Sequence, residues 1–284
     1  MPKKPTYRGR FAPTPTGPLH LGSLVSAMAS YLEARVHQGT WHLRIDDIDH
    51  TRCRAGMTEQ IIQSIHKLGF RWQTPIQYQQ QHHAHYQTAI EQLREQGLIY
   101  ACDCSRQQLR ATPRYPGSCR MLNKPDTSGY ALRVRTDAAS MRFENPKQHQ
   151  NAQGISEDTG DFIIRRRDGI IAYQLAVVVD DQQAQITHVV RGADLLDSTG
   201  RQNYLQYQLG YPIPTYQHIP LVLGTDGKKL SKSTGAAPIG HTEPLADLGT
   251  AWKYLQSQRL PSTLHTVAEF WDWAERHWQP QSYI

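Results

Sequence analysis

Apolar side chains near the start of the chain recur with two different periods. Leu21, Leu24, Val25, Met28, Leu32 and Val36 fall at steps of three and four, which predicts an amphipathic helix after residue 20. Gly39 follows, where a left-handed cap is common. Residues 41–45 alternate as a strand does, and residues 6–11 read as an earlier strand. That strand runs into the turn Pro13-Thr14-Pro15-Thr16-Gly17-Pro18. Strand, turn, helix, strand is the opening of a parallel α/β sheet. Ligands of such sheets gather at strand carboxyl ends, here crowded by Asp46, Asp47 and Asp49.

Further helices are expected over residues 58–68 and 85–96. After Gly97 the texture changes: residues 98–170 are rich in turn formers and read as an insertion. The sheet pattern returns over residues 171–179, 186–190 and 219–223, with a helix near 200–209. From about Leu245 a helical tail begins, with Trp252, Phe270, Trp271 and Trp273 as its apolar face. The expected organisation is a Rossmann-like α/β catalytic domain made of 1–97 and 171–240. An α/β subdomain over 98–170 is inserted in it, and a helical tail covers 241–284.

The 284 residues are 38% hydrophobic, enough to bury a core, and the formal charge of +6 suits a polyanionic partner. The longest apolar runs, such as Leu175-Ala176-Val177-Val178-Val179, fall far short of the roughly 20 residues that span a bilayer. No apolar run follows Met1-Pro2-Lys3-Lys4-Pro5, so no signal peptide is read. A cytoplasmic, monomeric protein without a membrane partner is expected. Four cysteines make no disulfide framework in a chain this long. Cys102, Cys104 and Cys119 cluster, and clustered thiols in a reducing compartment point to a metal. Asp103 and the group His82, His83 and His85 are available as further donors.

Two separated segments suit phosphate. At His20-Leu21-Gly22-Ser23 a helix amino end offers unpaired N–H groups, His20 a donor, and Gly22 close backbone approach. At Lys229-Leu230-Ser231-Lys232-Ser233 a turn delivers lysines and hydroxyls. Taken singly, the first could be an ordinary strand-to-helix turn and the second a solvated basic loop.

Together they resemble the paired signatures of class I aminoacyl-tRNA synthetases, with Ser23 where a second histidine is usual and Leu230 where methionine is. The likeness is closer to the glutamyl and glutaminyl subgroup. It is carried by Arg10-Phe11-Ala12-Pro13-Thr14-Pro15-Thr16-Gly17, Leu43-Arg44-Ile45-Asp46-Asp47-Ile48-Asp49, the segment from Ala172 to Asp181, and Val190-Arg191-Gly192-Ala193-Asp194.

The resemblance implies ATP bound by His20, Gly22, Lys229, Ser231 and Lys232, with Mg²⁺, and with His20 and Lys232 acting in catalysis. It implies a glutamate site of Arg10, Phe11, Ala12, Pro13, Thr14, Asp46, Tyr173 and Arg191. Two arginines suit a carboxylate, and Asp46, where the family has glutamate, suits the ammonium.

The chain ends at residue 284, too soon after Ser233 for the anticodon-binding region of a full glutamyl-tRNA synthetase. With the cysteine cluster, that brevity resembles the glutamyl-Q tRNA(Asp) synthetase family. That family activates L-glutamate without tRNA and transfers it to queuosine in the anticodon of tRNA(Asp). It implies one structural Zn²⁺ held by Cys102, Cys104, Tyr115 and Cys119. The alternatives are a short synthetase charging a tRNA 3′ end and an inactive paralogue that binds RNA.

Overall fold

The three-and-four spacing after residue 20 forms helix α1 (Leu21–Val36), whose Leu24, Val25, Met28 and Leu32 are buried. The computed structural model describes residues 6–136, 160–223, 239 and 243–280, apart from 106, 111, 113 and 128. Lys229, Leu230, Ser231, Lys232 and Ser233 lie outside the described residues.

The chain divides into two compact units. The first combines Met1–Tyr78, Ile186–Leu195 and Tyr216–Ile284. Its strands β1 (Arg8–Phe11), β2 (Thr40–Ile45) and β3 (Gln77–Tyr78) are parallel and lie in the order β1-β2-β3. Strand β7 (His188–Gly192) runs beside β1, with the Thr187 N–H donating to Arg8 O at 3.0 Å, and pairs with β8 (Thr215–Ile219). Helix α2 (Met57–Lys67) packs Ile61 and Ile65 into the same core. So do the last two helices, α6 (Pro244–Gln256) and α7 (Val267–His277). Trp252 meets Trp273 edge-on at 4.8 Å, and the Trp271 indole N–H donates to Leu68 O at 2.9 Å. The expected tail is therefore part of the first unit's core.

Gly39 is needed for a reason other than the expected one. The left-handed residue after α1 is Gln38, at φ 51°. Gly39 lies against Tyr7, where a Cβ would sit 2.3 Å from the Tyr7 main-chain oxygen.

The second unit combines Gln79–Gln185 with Leu196–Thr215. It holds α3 (His83–Glu95) and an antiparallel sheet of β4 (Ile99–Cys102), β5 (Ala131–Val134) and β6 (Phe162–Arg165). Helices α4 (Tyr173–Gln183) and α5 (Leu196–Gln208) complete it. The strand expected over 171–179 is thus a helix. Leu175, Ala176, Val177, Val178 and Val179 are all buried, so the run carries no polar face from which a period could be read. The strand expected over 219–223 lies upstream, at Thr215–Ile219. Among the described residues no helix is long and apolar enough to cross a membrane.

His42, on β2, is only 2% exposed. Thr74 Oγ1 and Thr40 Oγ1 lie 3.0 and 3.3 Å from its two ring nitrogens. Burial first, and the nearby Arg8 cation second, hold its pKa down at about 4. The unfolded chain therefore binds the proton more readily than the folded one. The resulting stability is complete above about pH 6.5 and is lost as pH falls towards 4. The full loss is up to about 3 kcal/mol. His42→Gln is expected to flatten the fall in melting temperature between pH 6.5 and 4; a slope equal to that of the unchanged protein would remove this role.

Candidate functional site

The turn from β1 to α1 is fixed by main-chain bonds. The Asp46 N–H donates to Pro13 O at 3.0 Å, Arg54 N–H to Pro15 O at 2.9 Å, and Thr16 N–H to Thr14 O at 2.8 Å. These bonds hold the turn against the carboxyl end of β2. His20 is the N-cap of α1, with extended backbone, and its Nδ1 accepts the Ser23 N–H at 3.3 Å. That assignment puts the proton of the neutral ring on Nε2, as a donor. The first turn of α1 carries no acid of its own to offset the positive helix end. Gly22 and Ser23 are half-buried within that turn. Beyond the undescribed residues 224–238, the Ile239 N–H donates to Leu19 O at 3.1 Å. Ile239, six residues after Ser233 in sequence, thus meets the residue before His20.

Two buried arginines stand near the ends of adjacent strands. Arg10, on β1, is 6% exposed, and its Nη1 reaches Val190 O at 3.5 Å. Arg191, on β7, is 4% exposed. Its Nε donates to His218 Nε2 at 3.2 Å and its Nη2 to Leu195 O at 3.2 Å, and its guanidinium carbon lies 4.8 Å from the centre of the Tyr216 ring. Asp46 directly follows β2, and its Oδ1 accepts from Arg44 Nε at 2.7 Å. That ion pair, between side chains almost wholly buried, is not apparent from the sequence. Ala12 and Thr14 are half-buried and Pro13 is buried in the turn. The Phe11 ring stacks on Trp41 at 6.3 Å. So Arg10, Asp46, Arg191 and the His20 cap belong to one unit. Tyr173 belongs to the other, exposed in the first turn of α4.

In the second unit, Asp180 is fully buried and accepts hydrogen bonds from distant residues. They come from Gln79 Nε2 at 2.8 Å, Tyr86 Oη at 2.8 Å and His82 Nδ1 at 2.7 Å. Sequence reasoning missed this hub, since its partners lie about a hundred positions away. It engages His82, one of the alternative metal donors.

The three clustered cysteines do meet, with sulfur atoms all within 4.8 Å of one another. Cys104 and Cys119 Sγ are 3.5 Å apart. The Tyr115 hydroxyl lies 3.4 Å from Cys102 Sγ and 3.6 Å from Cys104 Sγ, and accepts the Cys119 N–H at 3.0 Å. A tetrahedron with Zn–S and Zn–O bonds of ordinary length has edges of roughly 3.8 Å between sulfurs and roughly 3.5 Å between sulfur and oxygen. These donors fit zinc with little movement. Burial opposes ionisation of Cys102, but hydrogen bonds from Tyr115 and Arg133 outweigh it and bring its pKa down to about 7. Burial and the sulfur neighbours raise that of Tyr115, a direction that a bound dication would reverse. Asp103, the other alternative donor, accepts from Cys119 Sγ at 3.5 Å and pairs with Lys124.

The family model described as tRNA synthetases class I (E and Q), catalytic domain, matches residues 6–243. A Glutamyl-Q tRNA(Asp) synthetase of Verminephrobacter eiseniae is 45% identical, over 96% of this chain and 97% of that one. Another, of Burkholderia mallei, is 48% identical over 88% of each. The crystal structure of glutamate-tRNA synthetase from Elizabethkingia anophelis superposes with a TM-score of 0.68 at 26% identity. It covers 81% of this chain, which spans about half of that longer protein, 53%.

Proposed function

The chain belongs to the class I glutamyl and glutaminyl tRNA synthetase family, and from that premise we propose that it is a glutamyl-Q tRNA(Asp) synthetase. It activates L-glutamate with ATP, without tRNA, and passes the glutamate to the queuosine base in the anticodon of tRNA(Asp). The observation that carries this reading is the placement of two buried guanidiniums, Arg10 and Arg191, on neighbouring strands of the unit that also holds the His20-capped helix end.

In the first step a glutamate α-carboxylate oxygen attacks the α-phosphorus of ATP. The α–β phosphoanhydride bond breaks and pyrophosphate leaves. The α1 amino terminus, His20 Nε2–H and Lys232 stabilise the charge that develops on the leaving group, while Gly22, Lys229 and Ser231 hold the phosphates. Mg²⁺ accompanies ATP and offsets phosphate charge. Arg10 and Arg191 take the substrate's side-chain carboxylate, and Asp46 and the Phe11–Thr14 main chain its ammonium end. In the second step a queuosine hydroxyl attacks the carbonyl of the mixed anhydride, and AMP leaves. Each step depends on positioning and electrostatics, with no covalent enzyme intermediate. Cys102, Cys104, Tyr115 and Cys119 hold one Zn²⁺ that cross-links the turns around β4. A cytoplasmic location fits these substrates.

The test is a paired assay with labelled glutamate and tRNA(Asp) carrying or lacking queuosine. Label is expected only on the queuosine-containing tRNA. Equal labelling of both would move the acceptor to a 3′ end. Absence of ATP–pyrophosphate exchange with glutamate alone would overturn the first step.

A further inference from the structure

The metal-binding donors sit in a shell of charged groups that the proposed reaction does not use. Arg133, on β5, is 6% exposed. Its Nε donates to Cys102 Sγ at 3.3 Å and its Nη1 to Asp161 O at 2.9 Å. Its guanidinium carbon lies 3.7 Å from the centre of the Tyr115 ring. One side chain therefore touches two of the four donors, its guanidinium lying over the aromatic ring of one of them.

Asp161 is 2% exposed and ties the surrounding chain together. Its carboxylate is gripped by Arg120, Nε to Oδ2 at 2.6 Å and Nη2 to Oδ1 at 2.8 Å. Oδ1 also accepts the Thr136 N–H at 2.9 Å, and Oδ2 accepts from Tyr100 Oη. Arg120 follows Cys119 in sequence and Tyr100 lies two residues before Cys102. Thr136 lies three residues after Arg133. The carboxylate thus joins the three stretches of chain that carry Cys102, Cys119 and Arg133.

Three thiolates and a phenolate around a dication carry excess negative charge. Burying that excess is costly unless a cation lies beside it. Arg133 meets the need, and its N–H···S bond removes electron density from the thiolate. We propose that Arg133 and Asp161 are positioning residues of the Cys102–Cys104–Tyr115–Cys119 metal site. Arg133 offsets part of its charge and orients Cys102 and Tyr115. Asp161 fixes the distance between the turn of Cys119 and the strands that bear Cys102 and Arg133. The proposal rests on the zinc reading above.

The test uses the purified full-length protein and its Arg133→Gln, Arg133→Lys and Asp161→Asn variants. Zinc affinity is measured by competition with a chromogenic chelator, and the charge-transfer bands of the cobalt-substituted protein are recorded. Arg133→Gln is expected to weaken zinc binding by about 10- to 100-fold. Its cobalt bands shift, because thiolate and phenolate donor strength changes. Arg133→Lys keeps the charge without the planar fork and recovers part of the affinity. Asp161→Asn loses the Arg120 clamp and also binds zinc more weakly. Zinc affinity in all three equal to that of the unchanged protein overturns the proposal. So does a fall in metal-free melting temperature with cobalt bands unmoved, which a merely structural role would give. An unchanged protein that takes up neither zinc nor cobalt overturns the zinc reading itself, and this assignment falls with it.

Discussion

Arg191→Leu is expected to lower kcat/KM for glutamate in ATP–pyrophosphate exchange by a factor on the order of 10²–10³, while the KM for ATP stays close to its original value. Arg191 is held by His218 at 3.2 Å, the Leu195 carbonyl at 3.2 Å and the Tyr216 ring at 4.8 Å. Fixed in this way, the guanidinium loses little freedom when a carboxylate arrives, so most of its interaction energy goes into binding. Without it, the glutamate side chain must leave water for a site that keeps only Arg10. Leucine fills much of the volume, so the loss reports charge rather than a cavity. His218 Nε2, which now accepts from Arg191, can become the protonated nitrogen after the change. Arg191→Lys should restore less than half of the lost binding energy, because an ammonium cannot form two parallel bonds to one carboxylate. A folded Arg191→Leu protein with unaltered kcat/KM for glutamate would remove Arg191 from the substrate site.

Much of this site can be read from the chain, because its parts are local. The cap, the turn and the first helix are consecutive residues, and the period that marks α1 starts directly after His20. The cysteine cluster is nearly as local, and its spacing marks the three thiols, while Tyr115 as fourth donor comes from the family resemblance. Other features depend on distant partners. Leu175–Val179 reads as a strand because β-branched residues in an unbroken apolar run suit either element. Burial of the whole run, and the anchoring of Asp180 by Gln79, His82 and Tyr86, accompany its folding as a helix. Asp46 looks like a ligand-facing acid, yet its carboxylate also meets Arg44 at 2.7 Å. An ammonium at Asp46 would therefore share it with a guanidinium, which makes that contact weaker than an unshared one. Arg133 and Asp161 carry no motif at all. Their relation to the cysteines exists only once β4, β5 and β6 pair.

Cys102→Ser is expected to reduce zinc from about one atom per chain to near zero after dialysis, and to open the region between β4 and β5 to proteases. The apolar cluster there is small: Cys102, Tyr115 and Cys119 are its buried members, with Tyr100, Cys104 and Leu109 packed against them. So little apolar area does not offset the chain entropy of the turns between Asp103 and Tyr130, and on the zinc reading a metal cross-link would supply what the core does not. Structural zinc with thiolate donors contributes roughly 10–16 kcal/mol to small domains. One of four donors therefore accounts for about 3 kcal/mol or more, which weakens binding by a factor on the order of 10² to 10³. Serine also stays protonated where Cys102, with a pKa near 7, readily ionises. The first unit has its own core around α1 and Trp252, so its proteolytic resistance should persist while the cysteine-bearing turns are cut. Zinc retained at full content in Cys102→Ser, or equal protease resistance between β4 and β5 with and without metal, would show that these turns hold together without it.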